Sequence, residues 1–553
     1  MQDWTGSVLV CPRTVNSTRL GQDCQNRRMI KVNRFAPARR LTALLAVLGL
    51  LAGPGGLAVT RAADSVEAAA PIPVNLGNAV VKVFATLRLP DPYRPWAKQA
   101  PQDVTASGVV IEGHRILTNA HAVLYSSQVQ IQGTGAGDKI AASVEAIAPG
   151  IDLAVLKLDD DSFFATHAPL ARAGTLPQIK DAVLAYGFPT GGSSLSITKG
   201  IVSRIEYVAY NYPTSGLRIQ IDAAINAGNS GGPAIAGDKM IGLAFSRLGD
   251  AQNIGYIIPD EEIELFLKDI ADGHYDGKPG LFDDLQTLEN PALRSFLKLD
   301  RSVSGIVVHE PYDTAASYPL KEWDVITRIG DVPVDDQGMV NASAELRVNF
   351  RYMIQKIAKG NHVPITVVRG GKPITLSLPL LMEPQQLVPD IHGEYPSYFI
   401  YGPLVFTRAS ALFTAFLSNN AALMGAFGYM GSPLVTQRGA KPTPEQQELV
   451  VVASPFFPSR LAEGYSNPTA MVVASVNGVH IRSLAHLVSV LRDLKDENVV
   501  FEFEGRGGEA MVFPRAQTVA ATEGILNDNG VRAQGSTDML AVWQGTGKEQ
   551  GTK

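Results

Sequence analysis

Gly228-Asn229-Ser230-Gly231-Gly232-Pro233 decides how this chain is read. A serine set among three glycines sits on backbone that can turn sharply and lets another strand come close. Such a turn can aim the amides of Gly228 and Ser230, with Asn229 between them, at one point while presenting the Ser230 hydroxyl. A nucleophile and its oxyanion hole require that geometry. Alone, the stretch also fits an ordinary glycine-rich turn, so the partners of the serine matter.

A serine hydroxyl needs an adjacent base to act as a nucleophile at neutral pH. Upstream, Ile116-Leu117-Thr118-Asn119-Ala120-His121-Ala122-Val123 reads as an apolar strand ending in a small-residue turn that carries His121. Asp152 then opens the apolar stretch Leu153-Ala154-Val155-Leu156-Lys157-Leu158. An acid placed there can fix an imidazole tautomer and stabilise its cation. The order along the chain is His, Asp, Ser, the chymotrypsin order. Taken singly, His121 reads as a satisfied polar residue and Asp152 as a turn residue. Three blocks in the right order make coincidence a poor account.

The three blocks TNAHAV, DLAVLKL and IDAAINAGNSGGPAI, with Ala185–Pro189 and Thr198–Glu206 between them, resemble those of HtrA/Deg serine proteases. The likeness is to the larger Deg proteins of bacteria and plants and covers roughly residues 75 to 535. It implies a mainly β chain, with a chymotrypsin-like double β-barrel followed by two α+β PDZ-like domains. It also implies a serine endopeptidase with catalytic His121, Asp152 and Ser230 and an oxyanion hole at Gly228, Asn229 and Ser230. Ala227 departs from relatives that carry Pro or Arg beside this loop.

The resemblance places a trypsin-like domain over 75–275, a first PDZ domain over 276–383, a linker over 384–394 and a second PDZ-like domain over 395–514, with a tail over 515–553. Short Val/Ile/Leu runs broken by Gly, Pro and Asp suit a double barrel up to Gly273. Residues 259–272 read as a helix with acids in its first turn. Leu320–Asp331 and Ala474–Val479 read as the recurring hairpin of PDZ domains, which add an extended peptide as a strand. Leu281-Phe282-Asp283-Asp284 stands at the carboxylate-loop position but is acidic where Gly-Leu-Gly-Phe is usual. A helix is expected over 483–494 and another over 519–527. The Pro-rich, aromatic stretch Pro90–Trp96 reads either as an arm between subunits of a trimer or as a loop on its own barrel.

Composition bounds the rest. At 553 residues, three or four domains are expected. Setting aside residues 1–63 leaves 39 basic against 51 acidic residues, a balance of −12, which argues against nucleic acid as a partner. Arg34, Arg39 and Arg40 precede the apolar run Leu41–Ala52, too short to span a bilayer, and small residues follow near Thr60–Ala63. We read residues 1–63 as an upstream extension and a cleaved signal peptide, and 64–74 as a flexible leader. That places the mature chain in the periplasm, or in an organelle lumen if the acid-poor segment is a transit peptide. Cys11 and Cys24 both lie in the extension, so no disulfide or cysteine metal site is expected afterwards.

No phosphate-binding GxxxxGK[ST] is present, so no cofactor and no ATP-driven unfolding are expected, and substrate arrives already unfolded. Ile225, Leu243, Ala244, Phe245 and Ser246 are neutral and are expected to wall a primary pocket for small or medium apolar side chains. By resemblance, 191–196, 207–217 and 247–254 are gating loops. Partners expected are unfolded polypeptides, peptide ligands of the PDZ domains and further copies in a homo-oligomer built on trimers. Two other readings stay open: a PDZ-based chaperone or scaffold with minor proteolysis, and a narrowly specific processing protease.

Overall fold

The strand β1, Val80–Leu87, buries alternate side chains and pairs on one edge with β2, Gln102–Ile111, and on the other with β4, Ser126–Gln132. With β3, Arg115–Thr118, β5, Ile140–Ala148, and β6, Leu153–Leu158, it closes a barrel in the order β1-β2-β3-β6-β5-β4. Closure leaves no free edge, and the branched side chains that favour strands fill the interior. A second closed barrel runs β10-β11-β12-β9-β8-β7, from β7, Ala182–Gly187, β8, Ser196–Ala209, β9, Ser215–Ile221, β10, Pro233–Ala236, β11, Lys239–Arg247, and β12, Gly255–Pro259. The expected double barrel is thus present. This computed structural model describes residues 74–546 apart from 136, 191, 193, 211–212, 248–254 and 419, and apart from the side chains of 74, 75, 246 and 247. The described residues belong to one compact unit, Ala70–Lys553. The calls on the extension, the signal peptide, both cysteines and most of the leader lie outside the described residues.

The helix Asp260–Asp269 follows β12 directly. Two of its first-turn acids are buried and partnered rather than solvated. Asp260 bonds Arg172 at 3.1 Å and the Gly174 amide at 2.7 Å. Glu262 meets Lys278 Nζ at 2.7 Å and the Leu217 amide at 2.7 Å. The hairpin of β8 and β9 therefore stays tied to this helix, and its end reaches the next unit, where the Tyr207 and Tyr352 rings lie 6.3 Å apart.

That next unit is a sheet in the order Asp284–Thr287, Ile306–Glu310, Val325–Ile329, His362–Arg369, Lys372–Pro379, with Val332–Pro333 paired back on Val325–Ile329. Asp283 turns inward at its start: its carboxylate accepts from the Tyr312 amide at 2.8 Å and the Tyr318 hydroxyl at 3.0 Å. Burial raises its pKa above the usual carboxylate value.

The last unit joins two sheets, Tyr398–Tyr401, Leu404–Arg408 and Val450–Val452, and Val479–His480, Val473–Val476, Asn498–Phe503 and Met511–Pro514, with the helix Leu484–Asp493 packed on them. Here two expectations change. The segment after Pro514, read as a tail, continues this unit. The helix Arg515–Asp528 buries Thr518, Thr522 and Ile525, and Thr537–Trp543 puts Met539 and Val542 into the core with Trp543 5.1 Å from Phe399. The aromatic arm does not lie on its own barrel. Tyr93 sits 5.6 Å from Phe413, and Trp96 sits 5.2 Å from Phe457 and 6.5 Å from Tyr398, because the last unit offers an aromatic cluster within reach.

Candidate active site

His121 sits on the one-turn helix Ala120–Val123 at the end of β3, and Asp152 ends the 3-10 turn Pro149–Ile151 just before β6. Asp152 adopts φ 57°, a left-handed conformation that non-glycine residues enter at a cost. The surroundings hold it there. Its carbonyl accepts from Asn119 Nδ2 at 2.9 Å, its Oδ1 accepts from the His121 amide at 2.9 Å, and its Oδ2 lies 2.8 Å from His121 Nδ1. A carboxylate only accepts, so Nδ1 carries the hydrogen and Nε2 is left as the basic nitrogen. The Asp152 side chain is 9% exposed and that of His121 is 51% exposed. Burial lowers the imidazole pKa, but the hydrogen bond and charge of Asp152 outweigh it, and the net pKa is raised.

Ser230 lies on the other barrel, at the turn before β10. Its turn is fastened to the first barrel through Ser107 of β2. The Ser107 amide donates to the Ser230 carbonyl at 2.8 Å, and its hydroxyl donates to the Gly228 carbonyl at 2.8 Å. That hydroxyl also accepts from the Phe188 amide at 2.8 Å, and the Ser107 carbonyl accepts from the Thr118 hydroxyl at 2.7 Å. Gly231, at φ 84°, packs so closely on this residue that a Cβ would lie 2.0 Å from the Ser107 carbonyl oxygen. Nothing in the sequence singled out Ser107 or Asn119; both are small polar residues in apolar strands, a pattern too common to mark.

The Ala227 carbonyl accepts from the Thr190 amide at 2.8 Å. Because the peptide plane is rigid, the Gly228 N–H points the opposite way. Among the described residues, neither the Gly228 nor the Ser230 amide donates to a protein acceptor. The Asn229 amide does, to the Asn226 carbonyl at 3.0 Å, and its side chain is buried. Of the three residues assigned to the hole, the unengaged amides are those of Gly228 and Ser230.

The Ser230 hydroxyl donates to the Phe245 carbonyl at 3.5 Å. No hydrogen bond joins it to His121 among the described residues. The structure thus brings His121 and Asp152 together and leaves the serine turned to β11. The five pocket residues also part company. Leu243 packs with Tyr186 and Ile235 in the cluster shared with the first barrel, and Phe245 packs against that cluster. Ile225 and Ala244 lie in the core of the second barrel. Successive strand side chains point to opposite faces, so Leu243 and Ala244 cannot wall one cavity together. The Ser246 side chain is outside the described residues, as are Tyr212 and parts of the three expected gating loops. Tyr210, within the segment 207–217, stacks on Phe245 at 5.2 Å, and Arg218 lies 4.8 Å from both rings.

A family model of the trypsin-like peptidase domain matches residues 106–243, and one of the PDZ domain matches 388–538. Protease Do-like 2, chloroplastic, of Arabidopsis thaliana is 37% identical over 471 residues, spanning 84% of this chain and 75% of that protein. The chain belongs to the HtrA/Deg family of serine proteases. Protease Do-like 4, mitochondrial, from the same plant is 34% identical over 453 residues, with 81% of this chain and 83% of that protein covered. Among solved structures, the HtrA-type protease AlgW with a decapeptide aligns at 26% identity and a TM-score of 0.42, over 56% of this chain and 97% of its own. The protease is a serine endopeptidase of the HtrA type with a PDZ domain in its C-terminal part. Among the described residues no helix is long and apolar enough to cross a membrane.

Proposed function

We propose that this protease cuts unfolded polypeptides by acyl transfer through Ser230. His121 Nε2 takes the hydroxyl proton as the oxygen attacks the peptide carbonyl carbon. The resulting oxyanion sits on the amides of Gly228 and Ser230. The C–N bond breaks as His121 returns the proton to the leaving amine, and water repeats the sequence to free the acid. Asp152 holds the imidazole and stabilises its cation. The reaction requires the hydroxyl to leave the Phe245 carbonyl and turn toward His121 about its Cα–Cβ bond. The reading rests chiefly on the 2.8 Å pair of Asp152 and His121 opposite a turn with two unengaged amides.

Protein quality control on exported chains is the role this chemistry suits: no nucleotide motif supplies unfolding, and PDZ-type units hold extended peptide. No acid stands among Ile225 and residues 243–246, so a primary pocket formed beside them is neutral, which favours small or medium apolar residues before the cut. The organelle-type names of the relatives and the basic, apolar N-terminal sequence favour a compartment outside the cytosol, the periplasm or an organelle lumen. Labelling by a fluorophosphonate and hydrolysis of unfolded casein by wild type, Ser230→Ala and His121→Ala test the reading. Both signals are expected to vanish with Ser230→Ala. Equal casein hydrolysis by wild type and Ser230→Ala would overturn it, and a single cut in one partner with casein untouched would replace it with narrow processing.

A further inference from the structure

Residues 409–437 contain no Asp, Glu, Lys or Arg. They form two helices in the last unit, Ala411–Ser418 and Ala421–Tyr429. The first is rooted in the core by Phe413 and Leu417. The second has no buried residue at all, although every side chain on it is apolar or glycine. Leu423 is 39% exposed, Met430 38% and Tyr429 81%. A helix that is apolar all round belongs in a core or against another apolar phase. This one faces outward with Met424 and Phe427 resting on the domain.

An arginine meets the chain at both ends of it, through its side chain at the entry and its backbone at the exit. Arg438 Nη1 bonds Ser418 Oγ at 2.9 Å, beside the entry to the second helix, and the Arg506 amide donates to the Met430 carbonyl at 2.7 Å, at its exit. Glu504, the acid nearest Arg506 in sequence, is half-buried and accepts from Gln446.

We infer that the helix Ala421–Tyr429 is a docking face for an anionic lipid surface. Leu423, Tyr429 and Met430 enter the headgroup boundary, where tyrosine is favoured, and Arg438 and Arg506 meet the acidic headgroups. A second copy of the chain is the weaker occupant. Pairing two such helices face to face, in either direction, sets arginine opposite arginine at both ends, whereas an anionic surface complements both ends at once.

Hydrogen–deuterium exchange of residues 411–430 in the full chain, with vesicles of phosphatidylglycerol and phosphatidylcholine or of phosphatidylcholine alone, tests this locally. It is blind to whatever the N-terminal apolar run does. Exchange is expected to slow several-fold with the anionic vesicles and little with the zwitterionic ones. The slowing is expected to disappear in Leu423→Glu/Tyr429→Glu and to weaken in Arg438→Gln/Arg506→Gln and in high salt. Casein hydrolysis by these variants should match wild type, showing that the fold is intact. Unchanged exchange with anionic vesicles overturns the inference. So does equal slowing with both vesicle types, and so does slowing that follows protein concentration without vesicles, which would make the face a contact between copies.

Discussion

Gly228→Ala separates a strained turn from a working oxyanion hole. Gly228 sits at φ 93°, and a Cβ built there lies 2.5 Å from the Phe188 carbonyl oxygen and 2.5 Å from the Thr190 amide nitrogen. Both obstacles are backbone, so the loop must yield by about 1 Å to reach ordinary contact, a displacement that costs roughly 10²-fold in rate when it falls on a reacting group. Losing one oxyanion donor costs ~10²–10³ in kcat, about 2.7–4 kcal/mol. The left-handed backbone alone costs an alanine about 1–2 kcal/mol of stability. Gly237→Ala is the control: φ 63° on the turn between β10 and β11, with nothing within 4 Å of its Cβ. Gly237→Ala should lose about 1–2 kcal/mol in urea unfolding, and Gly228→Ala at least that, because its Cβ also meets backbone. Only Gly228→Ala should lose kcat on a chromogenic peptide, by ~10²–10³ with little change in KM. A Gly228→Ala enzyme destabilised like Gly237→Ala but turning over within about twofold of wild type would refute the assignment of this amide.

Three other outcomes follow from the same geometry. Asp152→Asn should lower kcat by ~10⁴ while leaving the fold in place, measured with single-turnover kinetics and a melting curve. The base works only when neutral, and Asp152 raises the His121 pKa, so the acid limb of kcat/KM should lie above the ordinary histidine value of about 6.5 and move to lower pH in Asp152→Asn. In stability the sign is opposite: the raised native pKa contributes stability that is fully present below the unfolded value and is lost as pH climbs through the native one. Ser107→Ala removes the donor to Gly228 and the acceptor for Phe188, both buried; about 1–3 kcal/mol of stability should go for each orphaned group, with kcat falling more than KM rises. Glu262→Gln leaves Lys278, 10% exposed, without its anion; unfolding should become easier by about 3–5 kcal/mol, with the hairpin of β8 and β9 exchanging amide hydrogens faster because the Leu217 amide weakens its hold.

The candidate site of Ser230, His121 and Asp152 was legible because the proposed chemistry restricts residue type: glycine suits the backbone around Ser230, and an acid before an apolar strand suits an imidazole. The barrels were legible from short β-branched runs. What stayed hidden depends on contacts between distant segments. Ser107 and Asn119 read as filler polar residues until the two barrels meet. The helix Arg515–Asp528 escaped full notice because its buried face is threonine, not leucine: Thr518 Oγ1 bonds the Pro514 carbonyl at 2.9 Å, and Thr522 Oγ1 bonds the Thr518 carbonyl at 2.8 Å while accepting from the Gly402 amide at 3.0 Å. Hydroxyls satisfied in this way bury like apolar groups but leave no hydrophobic stripe to read. Pocket residues that neighbour one another in sequence, Leu243, Ala244 and Phe245, look like one wall but face two ways on the strand β11.

The site is therefore assembled from two mechanically different parts. The amides of Gly228 and Ser230 are fixed to the first barrel by Ser107, the same barrel that carries the paired His121 and Asp152. Their mutual placement follows from barrel contact, a large packed surface that does not deform continuously. The Ser230 hydroxyl is held differently. Its acceptor is the Phe245 carbonyl on β11, and the Phe245 ring is braced by Tyr210 and Arg218 from the β8–β9 hairpin, which also meets Tyr352 of the following sheet. The same hairpin also reaches the acid: Thr214 packs on Gly150 in the turn that ends at Asp152, and Tyr210 lies within the field of the Asp152 charge, so a shift of the hairpin acts on the hydroxyl through Phe245 and on Asp152 as well. Truncating the brace should then change kcat and fluorophosphonate labelling together and move the pH at which His121 titrates, because Asp152 sets that pH. An unmoved pH with altered kcat would mean that the hairpin acts through Phe245 alone.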